Sequence, residues 1–273
     1  FLLAAYFPGT ARVKEKIKSL YSPNTFLFLL LTLFFFITHL WNYHTAPWNY
    51  NGLFDDAAWN IYFAKRYILT GEPFQAAFFD HGISREVIYH YYLTYLFKLF
   101  GYNLLTFSLA VLFLGYITFL FTMLLIHKLF KRISVTVLSA VVLNFLPIHF
   151  LFCFVGQRYS MAPPLMMSSL YFLYTGFKNK SYLRMATSSI LAGLCTASAI
   201  MGKQYLMGLA GALVLTLMFN HKKALSKINW NLTKVFLTGL IISLIPLITY
   251  IYYNPIYFAH EKNLSGQFFT AIK

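Results

Sequence analysis

The sequence predicts an all-α membrane protein with about seven transmembrane helices and two juxtamembrane amphipathic helices in its first outer loop. Three observations predict it. Of 273 residues, 59% are apolar, 20% aromatic and 11% charged, too few polar groups to cover a water-soluble fold. Long apolar runs recur, among them 26–41, 104–126 and 236–253, each near or at the roughly 20 residues a helix needs to cross hydrocarbon. The basic residues sit in short clusters between these runs, the pattern that orients a multi-span chain.

A formal charge of +15 would also suit a nucleic-acid binder. Such a protein gathers its bases on one solvated face, often among stacking aromatics, and here they do not gather. Nucleic acid is therefore excluded as a partner, and anionic lipid headgroups are the expected counter-charge.

The elements follow in order. Arg12, Lys14, Lys16 and Lys18 place residues 1–25 in the cytoplasm. Span one rises over 26–41. Residues 42–101 are too interrupted for a simple span and, with Trp41, Trp48 and Trp59, carry the aromatic enrichment of a membrane interface. Span two, 104–126, descends to His127, Lys128, Lys131 and Arg132. Span three, 135–155, rises to Gly156, Gln157 and Arg158, after which Pro163 and Pro164 open span four as proline can in a first turn. Span four ends at Lys178, Lys180 and Arg184. Span five covers 185–201, span six 206–219, and Lys222, Lys223 and Lys227 precede span seven, which passes through Pro246. Each of the four segments assigned to the cytoplasm is basic. Residues 26–273 thus read as one transmembrane module, without heptads, repeats or a Gly/Ser linker.

Cys153 and Cys195 both lie in apolar stretches, with no neighbouring His or Cys at metal-ligand spacing, and read as small buried hydrophobes. The chain begins with Phe1 and no cleavable leader is recognisable, so it reads as a fragment of a longer protein. Asn231 begins an Asn-X-Thr sequon, but the charge pattern puts it inside, where a glycosylation reading fails.

Five of the seven acidic residues, Asp55, Asp56, Glu72, Asp80 and Glu86, fall in the first outer loop. Asp55 and Asp56 open a helical pattern that Gly71 and Pro73 end. A second amphipathic helix covers 87–100, with Tyr, Leu and Phe on one side and His90, Thr94 and Lys98 elsewhere. Two short helices along the outer surface would hold the intervening acids and Arg85 over the membrane.

The order of motifs is specific: a span, Phe54-Asp55-Asp56-Ala57, a short helix ending in Thr70-Gly71-Glu72-Pro73, then Ser84-Arg85-Glu86-Val87 opening a second helix. It resembles the first outer loop of C-type (GT-C) membrane glycosyltransferases, in the branch of protein O-mannosyltransferases and aminoarabinose transferases (glycosyltransferase family 39-like). The resemblance covers about residues 26 to 210. It implies an inverting transfer of a sugar from a polyprenyl-phosphate carrier to an acceptor glycan, lipid or protein outside the cytoplasm. The residue richness in Lys, Asn, Tyr and Phe points to an AT-rich genome and favours a bacterial cell membrane, with the choice between a bacterial and a eukaryotic carrier left open.

By the same resemblance Asp55 is the general base on the acceptor hydroxyl, which must lose its proton as it attacks. Asp56 orients it or binds the acceptor. The departing lipid phosphate needs cations in a partly dehydrated site, and Arg85, Arg158 and Lys203 are the candidates. Lys203, in Gly202-Lys203-Gln204, is similar to a Thr-Lys-Gly stretch of those enzymes. A lone Lys or Arg near a helix end more often only snorkels to the headgroups, so the weight rests on three such cations at one face. Glu86 reads structurally as a salt-bridge partner of Arg85. Asp80 and His81 are further substrate-contacting or orienting candidates, although Asp80, His81 and His90 match no metal-ligand spacing. No resident metal is assigned. Some relatives hold a divalent metal on acids of this loop, so metal dependence stays open.

The chain departs from the aminoarabinose branch in lacking an acid shortly after Arg158, which weakens the case for that donor and leaves the sugar open. Relatives also continue into further spans and an outer domain beyond these 273 residues. The rival reading is a transporter or flippase for lipid-linked sugars. That class puts ionisable residues inside spans near the midplane, whereas here the acids gather in one outer loop. A structural scaffold would tolerate neutral substitution of that loop.

Overall fold

The computed structural model of the protein describes residues 23–41, 55–71, 87–154, 156, 158–198, 202–212, 214–215 and 229–253. Every regular element among them is helical: α1 Pro23–Trp41, α2 Asp55–Thr70, α3 Val87–Phe100, α4 Leu104–Phe130, α5 Ile133–Phe145, α6 Pro147–Phe154, a 3-10 turn Arg158–Met161, α7 Ala162–Lys178, α8 Tyr182–Ser198 and α9 Trp230–Tyr253. A further helical stretch covers 202–212.

Local chemistry sets the boundaries. Gly71 and Gly101, at φ 68° and 88°, end α2 and α3 in the left-handed region that glycine enters without strain. Asn103 caps α4, its side chain accepting from Thr106 N at 2.8 Å. At the other end Lys131 turns left-handed, and its N–H closes on the His127 carbonyl at 2.9 Å. Pro163 and Pro164 stand in the first turn of α7, as expected.

Among the described residues, two helices are long and apolar enough to cross a membrane, α1 over 24–41 and α4, or three if α5 and α6 count as one bent span. The unbroken span expected over 135–155 is corrected by that bend. The axes differ by 61° at Leu146. Pro147 has no N–H to continue the ladder and pushes the residue before it out of the α region, and Leu146 accordingly sits at ψ 119°. Along α1, Phe26, Leu29, Leu33, Ile37 and Leu40 form a continuous exposed stripe at helical spacing, a surface that suits hydrocarbon and not water.

Contacts fix the directions. Phe28 meets His127 and Phe36 meets Tyr116, so α1 and α4 run antiparallel. Gly176 packs on Met185 while Ala162 accepts from Cys195, so α7 and α8 are antiparallel too. Helices α8 and α9 run parallel, because Gly239 abuts Ser189 and Gly193 abuts Ser243. At both crossings a Cβ on the glycine would collide with the serine hydroxyl, so the close approach depends on small residues, the usual device where lipid supplies no hydrophobic drive between helices. Between α7 and α8, Ser169 and Ser188 each donate to the other's carbonyl, at 2.9 and 2.8 Å. The hydroxyl of Tyr205 adds a bond to Ser169 Oγ at 3.0 Å.

Candidate functional site

The two loop helices form where the sequence places them, at Asp55–Thr70 and Val87–Phe100. They do not stand apart from the bundle. Ala57 and Ala64 of α2 and Tyr89, Leu93 and Phe97 of α3 share one core with Phe107, Ala110, Val111 and Leu114 of α4. Tyr92 donates to the Ala110 carbonyl at 2.7 Å, and Tyr67 meets Tyr91 edge-on. Lys65 and Lys98 lie over the rings of Tyr102 and Tyr67, each 5.2 Å from the centroid. The polar side expected for α3 is corrected at two positions: His90 and Thr94 are buried, His90 edge-on to Phe63, because α2 covers that face.

A single carbonyl gathers these elements. Gly156 O accepts from Tyr89 Oη at 2.9 Å and from Asn60 Nδ2 at 3.2 Å. Both donors are fully buried. Gly156 itself has φ 64°, and a Cβ there would run into the Phe107 ring, so both its conformation and its packing demand glycine. Burial pushes the Tyr89 and Tyr92 hydroxyls far above the ordinary tyrosine range, Tyr89 further by its nearness to Tyr92. Tyr89 is therefore a proton donor at every physiological pH.

This arrangement positions four of the candidate residues. Asp55 and Asp56 are the first residues of α2, one turn before Asn60. Arg158 opens the 3-10 turn two residues after Gly156. Ala57, next to the aspartates, and Met161, the last residue of that turn, pack in the same cluster. Lys203 is half-buried, second in the stretch 202–212. Two residues on, Tyr205 lies in a core with Ala162, Ala192 and Cys195, against which Tyr159 packs. The backbone thus brings the starts of α2, the turn and the stretch 202–212 to one end of the bundle. His127, Lys128, Tyr174 and Lys178 mark the other, where Tyr174 Oη reaches the Lys128 carbonyl at 3.4 Å. Asp80, His81, Arg85 and Glu86 lie outside the described residues.

One other grouping was not anticipated. His39, His149 and Cys153 are buried, and their ligand atoms all lie within 4.8 Å of one another. Both cysteines are free and buried, as expected. The reading that Cys153 has no histidine at ligand spacing is corrected: His149 stands four residues before it on α6, one turn away on the same face, and α1 supplies the third group. Asn60, Tyr89 and Gly156 were likewise passed over, since a lone Asn or Tyr within an apolar pattern signals nothing until its partner is known.

No family model, curated protein or solved structure matches the chain.

Proposed function

We propose that the chain is the catalytic N-terminal part of an inverting membrane glycosyltransferase, built on seven spans, that moves a sugar from a polyprenyl-phosphate carrier to an acceptor on the outer side. The observation that carries the reading is the Gly156 carbonyl. Through it, Asn60 ties the helix begun by Asp55 and Asp56, and Tyr89 ties α3, to the turn begun by Arg158. A base and a phosphate-binding cation must be held at fixed separation by rigid elements, and a buried carbonyl with two buried donors is a rigid link of the kind this reading requires.

In the reaction Asp55 takes the proton of the acceptor hydroxyl, whose oxygen bonds to the anomeric carbon as the bond from that carbon to the phosphate oxygen breaks. Asp56 orients the base. The carrier leaves as polyprenyl phosphate, its charge met by Arg158, Lys203 and Arg85. The short α2 and α3 lie against the bundle at this end and give the lipid-borne donor a platform.

The test is transfer by the full-length protein reconstituted with a polyprenyl-phosphate sugar. Asp55→Asn keeps the side chain's size and loses its ability to take a proton, so turnover should fall about 10² to 10⁴-fold while donor binding persists. Arg85→Ala should weaken both, because the phosphate is charged in the ground state and more so in the transition state. Full turnover by Asp55→Asn, Asp56→Asn and Asp80→Asn alike would reject a carboxylate base in this loop, and donor translocation without any transfer by the wild-type protein would reject the transferase and establish the transporter instead.

A further inference from the structure

We infer that His39, His149 and Cys153 form an intramembrane metal site for a soft monovalent cation, copper(I). The three side chains come from two helices and are fully or almost fully buried. The Pro147 bend sets the direction of α6, from which His149 and Cys153 face His39 of α1. His39 Nδ1 lies 2.9 Å from the Phe35 carbonyl and donates to it, which leaves the lone pair on Nε2. This is the arrangement by which second-shell carbonyls fix the tautomer of metal-binding histidines. His149 has a backbone hydrogen bond to Gly115, and its Nδ1 lies 4.0 Å from Cys153 Sγ.

Nε2 of His39 and Nε2 of His149 have no hydrogen-bond partner although both are buried. An ordinary core histidine has its polar atoms satisfied, because each orphan costs about 1–3 kcal/mol. Two orphaned imidazole nitrogens in one buried cluster with a thiol are accounted for by an ion among the three side chains. A metal with bonds of about 2.0–2.3 Å holds its ligands roughly 3.3–3.8 Å apart, so small side-chain rotations close the observed group on it. Gly115 makes the room: a Cβ there would strike the Cys153 sulfur. Phe35 stacks on His39 at 4.1 Å, and Phe150 and Phe154 lie 5.4 and 5.7 Å away, a shell that excludes water.

Charge chooses the ion. On binding, the Cys153 S–H proton leaves to the buffer and a metal–thiolate bond forms. Two neutral imidazoles and one thiolate carry −1, so copper(I) gives a neutral complex while zinc(II) leaves +1 among phenylalanines. An uncompensated charge in an apolar interior is heavily penalised. Thiolate softness favours the same ion.

The experiment uses the purified full chain in detergent micelles, anaerobic and reduced, titrated with copper(I) against bicinchoninate and separately with zinc(II). One copper per chain is expected, with X-ray absorption showing one sulfur and two nitrogens around it. Cys153→Ser and His149→Gln should weaken binding by more than the roughly 10 to 100-fold typical of second-shell changes, with helicity unchanged. Should either variant fail to fold, the absorption spectrum of the wild-type protein decides alone. No stoichiometric copper, a first shell without sulfur, affinity unchanged in folded variants, or one zinc bound in preference to copper would each overturn the assignment.

Discussion

Removing the two donors of the Gly156 carbonyl, singly and together, gives a measurable signature. Tyr89→Phe keeps the ring in its core and deletes one bond of 2.9 Å. The carbonyl retains Asn60, so the loss should be about 0.5–1.5 kcal/mol. Asn60→Leu deletes the other bond of 3.2 Å but also removes Oδ1, a buried acceptor with no partner, and should fall within about 1 kcal/mol of wild type. The double variant leaves the carbonyl bare, adding the roughly 1–3 kcal/mol of an unsatisfied buried group, so its loss should exceed the sum of the singles by about 1 kcal/mol or more. Reversible unfolding in mixed micelles titrated with dodecyl sulfate would measure the cycle. In a chain of this size each kcal/mol also moves a thermal midpoint by roughly 2–4 °C. Strict additivity would show that the two donors do not share one acceptor, and the link between α2 and the Arg158 turn would go with it.

Other outcomes follow from the packing. Gly193→Ala sets a methyl against the Ser243 hydroxyl and should destabilise by about 1–3 kcal/mol, with recovery when Ser243→Gly is added; no recovery in the same unfolding assay would place the strain elsewhere. The raised Tyr89 pKa sets a pH limit: the folded state holds its proton more tightly than the unfolded chain, so stability should be level below about pH 10 and fall as pH rises beyond it. That alkaline fall should shrink in Tyr89→Phe, and an unchanged profile would mean that other groups produce it.

The helices of the first loop were legible to the residue at both ends, because Asp55, Gly71, Val87 and Gly101 are boundary signals written in local chemistry. The start of α7 was legible for the same reason in Pro163 and Pro164. The break in span three was present as Pro147 but outweighed by an apolar run that hydropathy reads as continuous. The burial of His90 and Thr94 was hidden because amphipathicity describes one helix, and α2 covers the face that it would leave to solvent. The convergence on Gly156 was not legible at all. Asn60, Tyr89 and Gly156 are far apart in sequence, and only the tertiary path of the chain makes one acceptor of them. For His149 and Cys153 the spacing was visible; the third member, His39, lies more than a hundred residues earlier.

The serine-lined crossing of α8 and α9 bears on how the chain is made. About 30 residues separate Ser198 from Trp230, so at roughly 5–20 residues per second α8 waits about 2 to 6 seconds for its neighbour. An apolar solvent would penalise bare hydroxyls throughout that interval. None of the five serine and threonine hydroxyls on α8 is bare. Thr187, Ser189, Thr196 and Ser198 donate to carbonyls of their own helix, at Leu183, Ala186, Ala192 and Cys195, and Ser188 donates to Ser169 of α7, synthesised before it. Among the described residues, the hydroxyl that reaches across the crossing, Ser243 to the Ser189 carbonyl at 3.4 Å, belongs to the helix that arrives last. Each serine and threonine hydroxyl of α8 is thus satisfied by chain that already exists when it enters the membrane, and α9 docks on a surface already complete without it.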